Sequence, residues 1–421
     1  MALDTAAPPH TSLRHNRDYL AWLAADTSWQ FGSAIRGFAM TLISYAVTGS
    51  YAQAGAVATA STVASMVAML PGGVLVDRWD RRRSLVVSGW LRLLVYTGAA
   101  VAWWAGALTL PVLYLVGIAS GAVSGLFSGA ADAALKSVVS AEELPRAVAS
   151  NEGRDGAVSL SAPPLSGLLM GVSYALPFLA AAIGSLFQIL GTRLIRADLR
   201  PHRNGAPEPE PDWFRELREG FRMLLANSLL RRILPALICV NAGITALYTG
   251  ITLILKGRGV PAWRIGLIDS VLAVGMLIGA VLAQRLIARV PTGRLVVGIF
   301  IACTAVLVPV ALDQSVPLVL TCSGLLGLLM PAINGAMGGY FQAVIPDHMQ
   351  GRAGAAFSLV VMVVPGLMPA ATGLGLQHLG AGPTMAATVV LFPVAAVLIA
   401  THRELRALPT PDRWQVATVE S

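Results

Sequence analysis

Charged and amide side chains stand inside long apolar runs of this chain, where each must face water or find a partner. The first run holds Asp26, Gln30 and Arg36. At about 1.5 Å rise per helical residue, Asp26 lies roughly 12 Å in from Asp18 and Arg36 roughly 15 Å beyond it, near or past a bilayer midplane. A charge there costs a few kcal/mol. Two chemistries suit Arg36: binding an anionic or carbonyl-rich part of a substrate, or a structural ion pair with an acid on a neighbouring span. Asp132 and Lys136 stand four residues apart in the fourth run, as a structural pair or as a carboxylate that exchanges a proton. Glu152, Arg154 and Asp155 open the fifth run, which predicts a charged gate network with the arginines of the loop at 78–83 rather than a binding site. Asp269 is the sole acid within the later apolar runs, as a proton site or a partner for Arg264. The candidates for moving a proton are therefore Asp26, Asp132, Glu152, Asp155 and Asp269.

Uncharged polar groups recur at helical spacing in the second part of the chain. Asn241, Thr245 and Tyr248 share one face, and Asn334 and Tyr340 are the comparable groups further on. With Gln30 and Arg36, they suit a large, partly apolar ligand held by a few hydrogen bonds, or they tie helices together. Gly117, Gly121, Gly125 and Gly129 form a small-residue ridge for helix packing. Pro163 and Pro164 should kink the fifth run, and Pro365 and Pro369 repeat the feature later.

The elements that position these groups are membrane helices. The chain is 55% hydrophobic and 12% charged, against about a quarter charged in soluble domains, so it reads as an all-α integral membrane protein. Runs of roughly 20 apolar residues number about twelve, in two groups of six. They fall near 18–46, 53–77, 84–106, 109–137, 145–172, 174–195, 229–255, 262–288, 293–312, 315–343, 352–378 and 382–402. The basic residues cluster in short connections, as topology signals and not as a nucleic-acid face, and they put both termini in the cytoplasm. The polar opening MALDTAAPPHTSLRHNRDYL predicts that the first span is itself the insertion signal. LPGGVLVDR from Leu70 aligns on LIGAVLAQR from Leu277, and VVSAEELPRA from Val138 on VIPDHMQGRA from Val344. Two matches at nearly one offset argue for a duplicated half. The organisation expected is a cytoplasmic N-terminus 1–17, a six-helix bundle 18–196, a linker 197–228, a second bundle 229–403 and a cytoplasmic tail 404–421. In the linker, RNGAPEPEPD from Arg203 gives way at Asp212 to an amphipathic helix expected to lie on the membrane surface. Cys239, Cys303 and Cys322 have no pairing or metal spacing, and the scattered histidines make no catalytic constellation, which argues against an enzyme and implies no metal or cofactor.

The loop between the second and third runs reads G-x-x-x-D-R-x-x-R-R through Gly73, Asp77, Arg78, Arg81 and Arg82. It resembles the signature cytoplasmic latch of the major facilitator superfamily, with Asp80 in place of the usual glycine. LREGFRMLLANSLLRRIL from Leu217, the RDYLAWL opening and the SAEELPRA turn resemble the branch that holds macrolide and siderophore exporters. SAPPLSG from Ser161 resembles that superfamily's exporter signature, with Ala162 and Ser166 replacing two glycines. The resemblance implies two pseudo-symmetric six-helix bundles, twelve spans and a central cavity lined by spans one, four, seven and ten. It further implies a monomer in the bacterial plasma membrane that exports a drug, antibiotic or siderophore-like compound by alternating access with proton antiport. A uniporter or importer of a small metabolite, or a lipid flippase, would use the same fold.

Overall fold

The computed structural model describes residues 13–200, 213–226, 228–344, 350–402 and 408–411. The helices are α1 (Arg17–Thr48), α2 (Tyr51–Arg78), α3 (Arg81–Trp104), α4 (Leu110–Leu126), α5 (Ala130–Val138), α6 (Leu144–Val172) and α7 (Leu176–Leu194). After the linker come α8 (Trp213–Ala226), α9 (Ser228–Gly257), α10 (Ala262–Arg289), α11 (Thr292–Leu312), α12 (Val316–Val344), α13 (Gln350–His378) and α14 (Ala381–Thr401). Among the described residues, ten stretches are long and apolar enough to cross a membrane, α4 and α5 counting as one. The protein is a multi-pass membrane protein. α1 and α6 have the length but fall outside that set; they carry Asp26 and Arg36, and Glu152, Arg154 and Asp155. The helices least suited to hydrocarbon are those that bring charge to the interior.

Local chemistry sets the helix ends. Asn16 caps α1, its side-chain oxygen accepting from the amides of Asp18 (3.1 Å) and Tyr19 (3.0 Å). Gly49 ends it at φ 65°, a left-handed cap that costs glycine little. Asp80 caps α3 by accepting from the Arg82 amide at 2.8 Å, so the residue that departs from the family's glycine builds the turn instead of disturbing it.

Helix pairing repeats between the two halves. α2 packs on α4 as α10 packs on α12, α1 on α7 as α9 on α14, and α1 on α6 as α9 on α13. Glycine makes the closest of these crossings possible: a Cβ at Gly121 or Gly125 would overlap the carbonyls of Ser61 or Ser65 on α2, and one at Gly279 would overlap Leu328 on α12. The expected ridge stops short of Gly129. The fourth span is two helices, broken at residues 127–129 where Gly129 turns left-handed (φ 79°), and a Cβ there would meet nothing within 4 Å. α5 then restarts with Asp132 in its first turn, where the helix dipole favours a carboxylate.

The halves meet at two symmetric crossings, α6 on α10 and α2 on α13. Prolines lie at both. A Cβ at Gly266 would come within 2.5 Å of Pro163, and one at Gly55 would overlap the Pro369 carbonyl. Pro164 has no N–H for the Leu160 carbonyl four residues earlier, and Ser270 of α10 donates to that oxygen instead. At the other crossing the Ala370 amide donates to Thr59 Oγ1 at 2.9 Å. In α8, Leu224, with Phe221, packs among Leu234, Ala356, Phe357 and Val361 of α9 and α13, so protein covers that part of its apolar face.

Candidate functional site

Polar side chains gather in one cavity of about 370 Å³ inside the first half, between α1, α3, α5, α6 and α7. Its centre is an ion-pair fork. Arg154 Nη1 lies 2.7 Å from Asp26 Oδ2, and its Nη2 and Nε reach Asp155 Oδ1 at 2.8 and 2.9 Å. Gln30 Nε2 donates to the same Asp155 oxygen at 3.3 Å. Asp26 is 8% exposed and Arg154 11%, so this pair between α1 and α6 is strongly desolvated and holds only because each charge has its partner. Asp132 and Glu152 line the same cavity but are exposed, and neither has an ion pair among the described residues. Asp132 and Lys136 do not form the pair that their spacing allowed.

A second arginine enters the cavity from α3. Arg92 is 3% exposed, its guanidinium lies 4.4 Å from the Trp29 ring centre, and Nη1 donates to Gln188 Oε1 at 3.2 Å. Gln188 is fixed in turn by its Nε2, which donates to the Leu85 carbonyl and to Ser88 Oγ. Arg92 is not among the site residues expected above, although a lone arginine in VVSGWLRLLVYTG carries the same signal as Arg36.

Arg36 itself is buried outside this cavity, its guanidinium 5.6 Å from the Tyr96 ring centre and without an ion pair among the described residues. The latch arginines do not join the fork, contrary to the expected gate network. Arg81 donates to Ser137 Oγ at 2.7 Å and Arg82 to the Ala197 carbonyl at 2.9 Å, tying the start of α3 to the ends of α5 and α7. Arg78 is exposed, the side chain of Asp77 lies outside those described, and Gly73 faces open space while Gly72 makes the close approach to Leu126. Pro163 and Pro164 sit at the α6–α10 crossing.

A second cavity, of about 290 Å³, lies between α9, α12 and α13 and carries no charged residue. Asn241, Asn334 and Tyr340 line it among Ile333, Met337, Phe341 and Phe357. The Asn241 amide nitrogen donates to its own helix, to the Leu237 carbonyl at 2.9 Å, which leaves its oxygen as an acceptor. Thr245 and Tyr248 lie outside this cavity, Tyr248 against the main apolar core. Asp269 is half-buried on α10 with no ion pair among the described residues, and Arg264 lies over the Trp263 ring instead of meeting it. Among the described residues no group of three or more His, Cys, Asp or Glu is placed to hold a metal ion.

Known proteins share this architecture. The chain is 26% identical over 318 residues to the enterobactin exporter EntS of Salmonella typhi, covering 73% of both. It is 26% identical over 358 residues to the protein of the same name from Escherichia coli O1:K1, covering 79% of this chain and 83% of that one. Among solved structures, a bacterial homologue of the human lysosomal transporter Spinster, described as inward-facing and unoccupied, superposes with a TM-score of 0.70 at 14% identity, over 96% of this chain and 98% of that one. A D-xylose–proton symporter superposes with a TM-score of 0.64 at 14% identity, over 93% and 98%. At such identities the structural likenesses speak for the fold alone. The family profile described as Major Facilitator Superfamily matches residues 30–369, and with that match across most of an all-helical chain the protein belongs to this superfamily of transporters.

Proposed function

We propose that the protein exports a small, partly hydrophobic compound, of the drug, antibiotic or siderophore kind, across a bacterial plasma membrane in exchange for protons. It works as a monomer with twelve spans and cytoplasmic termini, the bundles 18–196 and 229–403 rocking about the α6–α10 and α2–α13 crossings. The observation that carries this reading is the buried Asp26–Arg154 pair. A proton reaching Asp26 cancels one arm of the fork and leaves Arg154 on Asp155, so a single proton redistributes charge between α1 and α6. α6 is also the helix whose Pro163 and Pro164 meet the other half, and this gives the proton a route to the crossing. Asp132, Glu152 and Asp155 stand along the approach to Asp26, and Asp269 is held in reserve on α10. In the second cavity Asn241, Asn334 and Tyr340 hydrogen-bond an apolar substrate body; Gln30 serves the first cavity, and Thr245, Tyr248 and Arg36 stand outside both. The outward direction rests on the enterobactin exporters to which the chain is similar.

The test is a pH-gradient assay in inverted membrane vesicles made with and without the protein, with antibiotics and siderophores added singly. A compound that dissipates the gradient only in vesicles containing the protein supports exchange. Accumulation of a compound with no proton movement would replace exchange with uniport.

A further inference from the structure

The first cavity is electrically lopsided. Asp26 and Asp155 share the single guanidinium of Arg154, at 2.7 and 2.8 Å, so the fork keeps one net negative charge but offers Arg92 no direct contact. The charges left over are Arg92, 3% exposed and without a carboxylate partner among the described residues, and the exposed Asp132 and Glu152. The spare base is deep and the spare acids are at the open side. Arg92 Nε has no acceptor, and neither the Trp29 Nε1 beside it nor the fully buried Thr192 Oγ1 has a partner. A guanidinium so desolvated, answered only by a ring face and an amide oxygen, is short of an anionic acceptor.

We infer that this cavity binds the head of a zwitterionic ligand, its carboxylate or phosphate seated toward Arg92 and its ammonium toward Asp132 and Glu152. A plain anion meets two carboxylates on the way in, and a plain cation meets Arg92 at the end. Only a ligand with both charges satisfies both ends. The inference rests on the first cavity being part of the substrate path and sharpens the substrate class. The same chemistry belongs to a free zwitterion and to a zwitterionic lipid headgroup.

The experiment uses three probes of one size, para-aminomethylbenzoate, a benzoate carrying a para-ethyl group and a benzylamine carrying a para-isopropyl group, titrated against the full chain in nanodiscs and read by tryptophan fluorescence, since Trp22 and Trp29 line the cavity. The zwitterion should bind at least about tenfold more tightly than either partner. Arg92→Gln should remove its advantage over the benzylamine, while Arg92→Lys keeps part of it. Asp132→Asn with Glu152→Gln, both exposed and tolerant of change, should remove its advantage over the benzoate. Anionic-lipid discs are compared with phosphatidylethanolamine discs: weaker probe binding in the latter assigns the site to a lipid headgroup, and equal binding to a free zwitterion. Equal affinity for all three probes, or a preference untouched by both sets of variants, overturns the inference. If proton exchange with a hydrophobic compound survives that result, the substrate class falls and the transporter reading stands.

Discussion

Gly266→Ala tests whether the α6–α10 crossing limits the exchange of conformations. The added Cβ would stand 2.5 Å from the Pro163 carbonyl carbon, where ordinary contact begins at 3.4 Å, so the helices must part by about 0.9 Å or strain. Overpacking of this kind costs about 1–3 kcal/mol. The gain in helix propensity from glycine to alanine, about 1 kcal/mol, applies equally to every state in which α10 is helical and cancels between them. The full cost therefore falls on the conformation with this crossing closed, which shifts the population about 5- to 150-fold. Spin labels on Val172→Cys and Leu379→Cys, both exposed, report the separation of the halves once Cys239, Cys303 and Cys322 are replaced by alanine. Gly266→Ala should add a longer-distance population. Gly171→Ala on α6, where a Cβ meets nothing within 4 Å, should not. A distance distribution in Gly266→Ala identical to that of the parent would refute the role given to this crossing.

Arg154→Ala strands the buried Asp26 carboxylate, and breaking such a pair costs about 3–5 kcal/mol, so the detergent melting temperature should fall sharply. Arg154→Ala with Asp26→Asn should recover much of that loss; equal melting of the single and double variants would count against the pair. Thr59→Val removes the acceptor that meets the half-buried Ala370 amide across the two halves and should cost about 0.5–1.5 kcal/mol, seen as a lower melting temperature. Gly129→Ala forces a side chain into the left-handed region and should cost about 1–2 kcal/mol in the same melt, whereas Gly98→Ala, with open space around it, should be neutral or slightly stabilising.

Periodicity, charge clusters and glycine spacing made the bundle readable in the sequence, because hydrocarbon permits few alternatives to a helix. Partners were less readable. That Asp26 pairs with Arg154 rather than with a residue of its own span depends on how α1 crosses α6, which no local pattern encodes. Gly129 shares the four-residue spacing of Gly117, Gly121 and Gly125 but has a left-handed backbone, and spacing does not distinguish packing from a break. The apolar face of α8 is the same whether lipid or α13 covers it. Arg92 lies on the third span, outside those expected to line a central cavity, and its burial against Trp29 and Gln188 is a tertiary fact.

Coupled flux through the purified protein bears most directly on the central claim. Proteoliposomes with an imposed pH gradient should show proton movement and substrate movement in opposite directions at a fixed ratio, and Asp26→Asn should abolish the proton movement while substrate still equilibrates. Proton-coupled transport at full rate in Asp26→Asn would contradict the account.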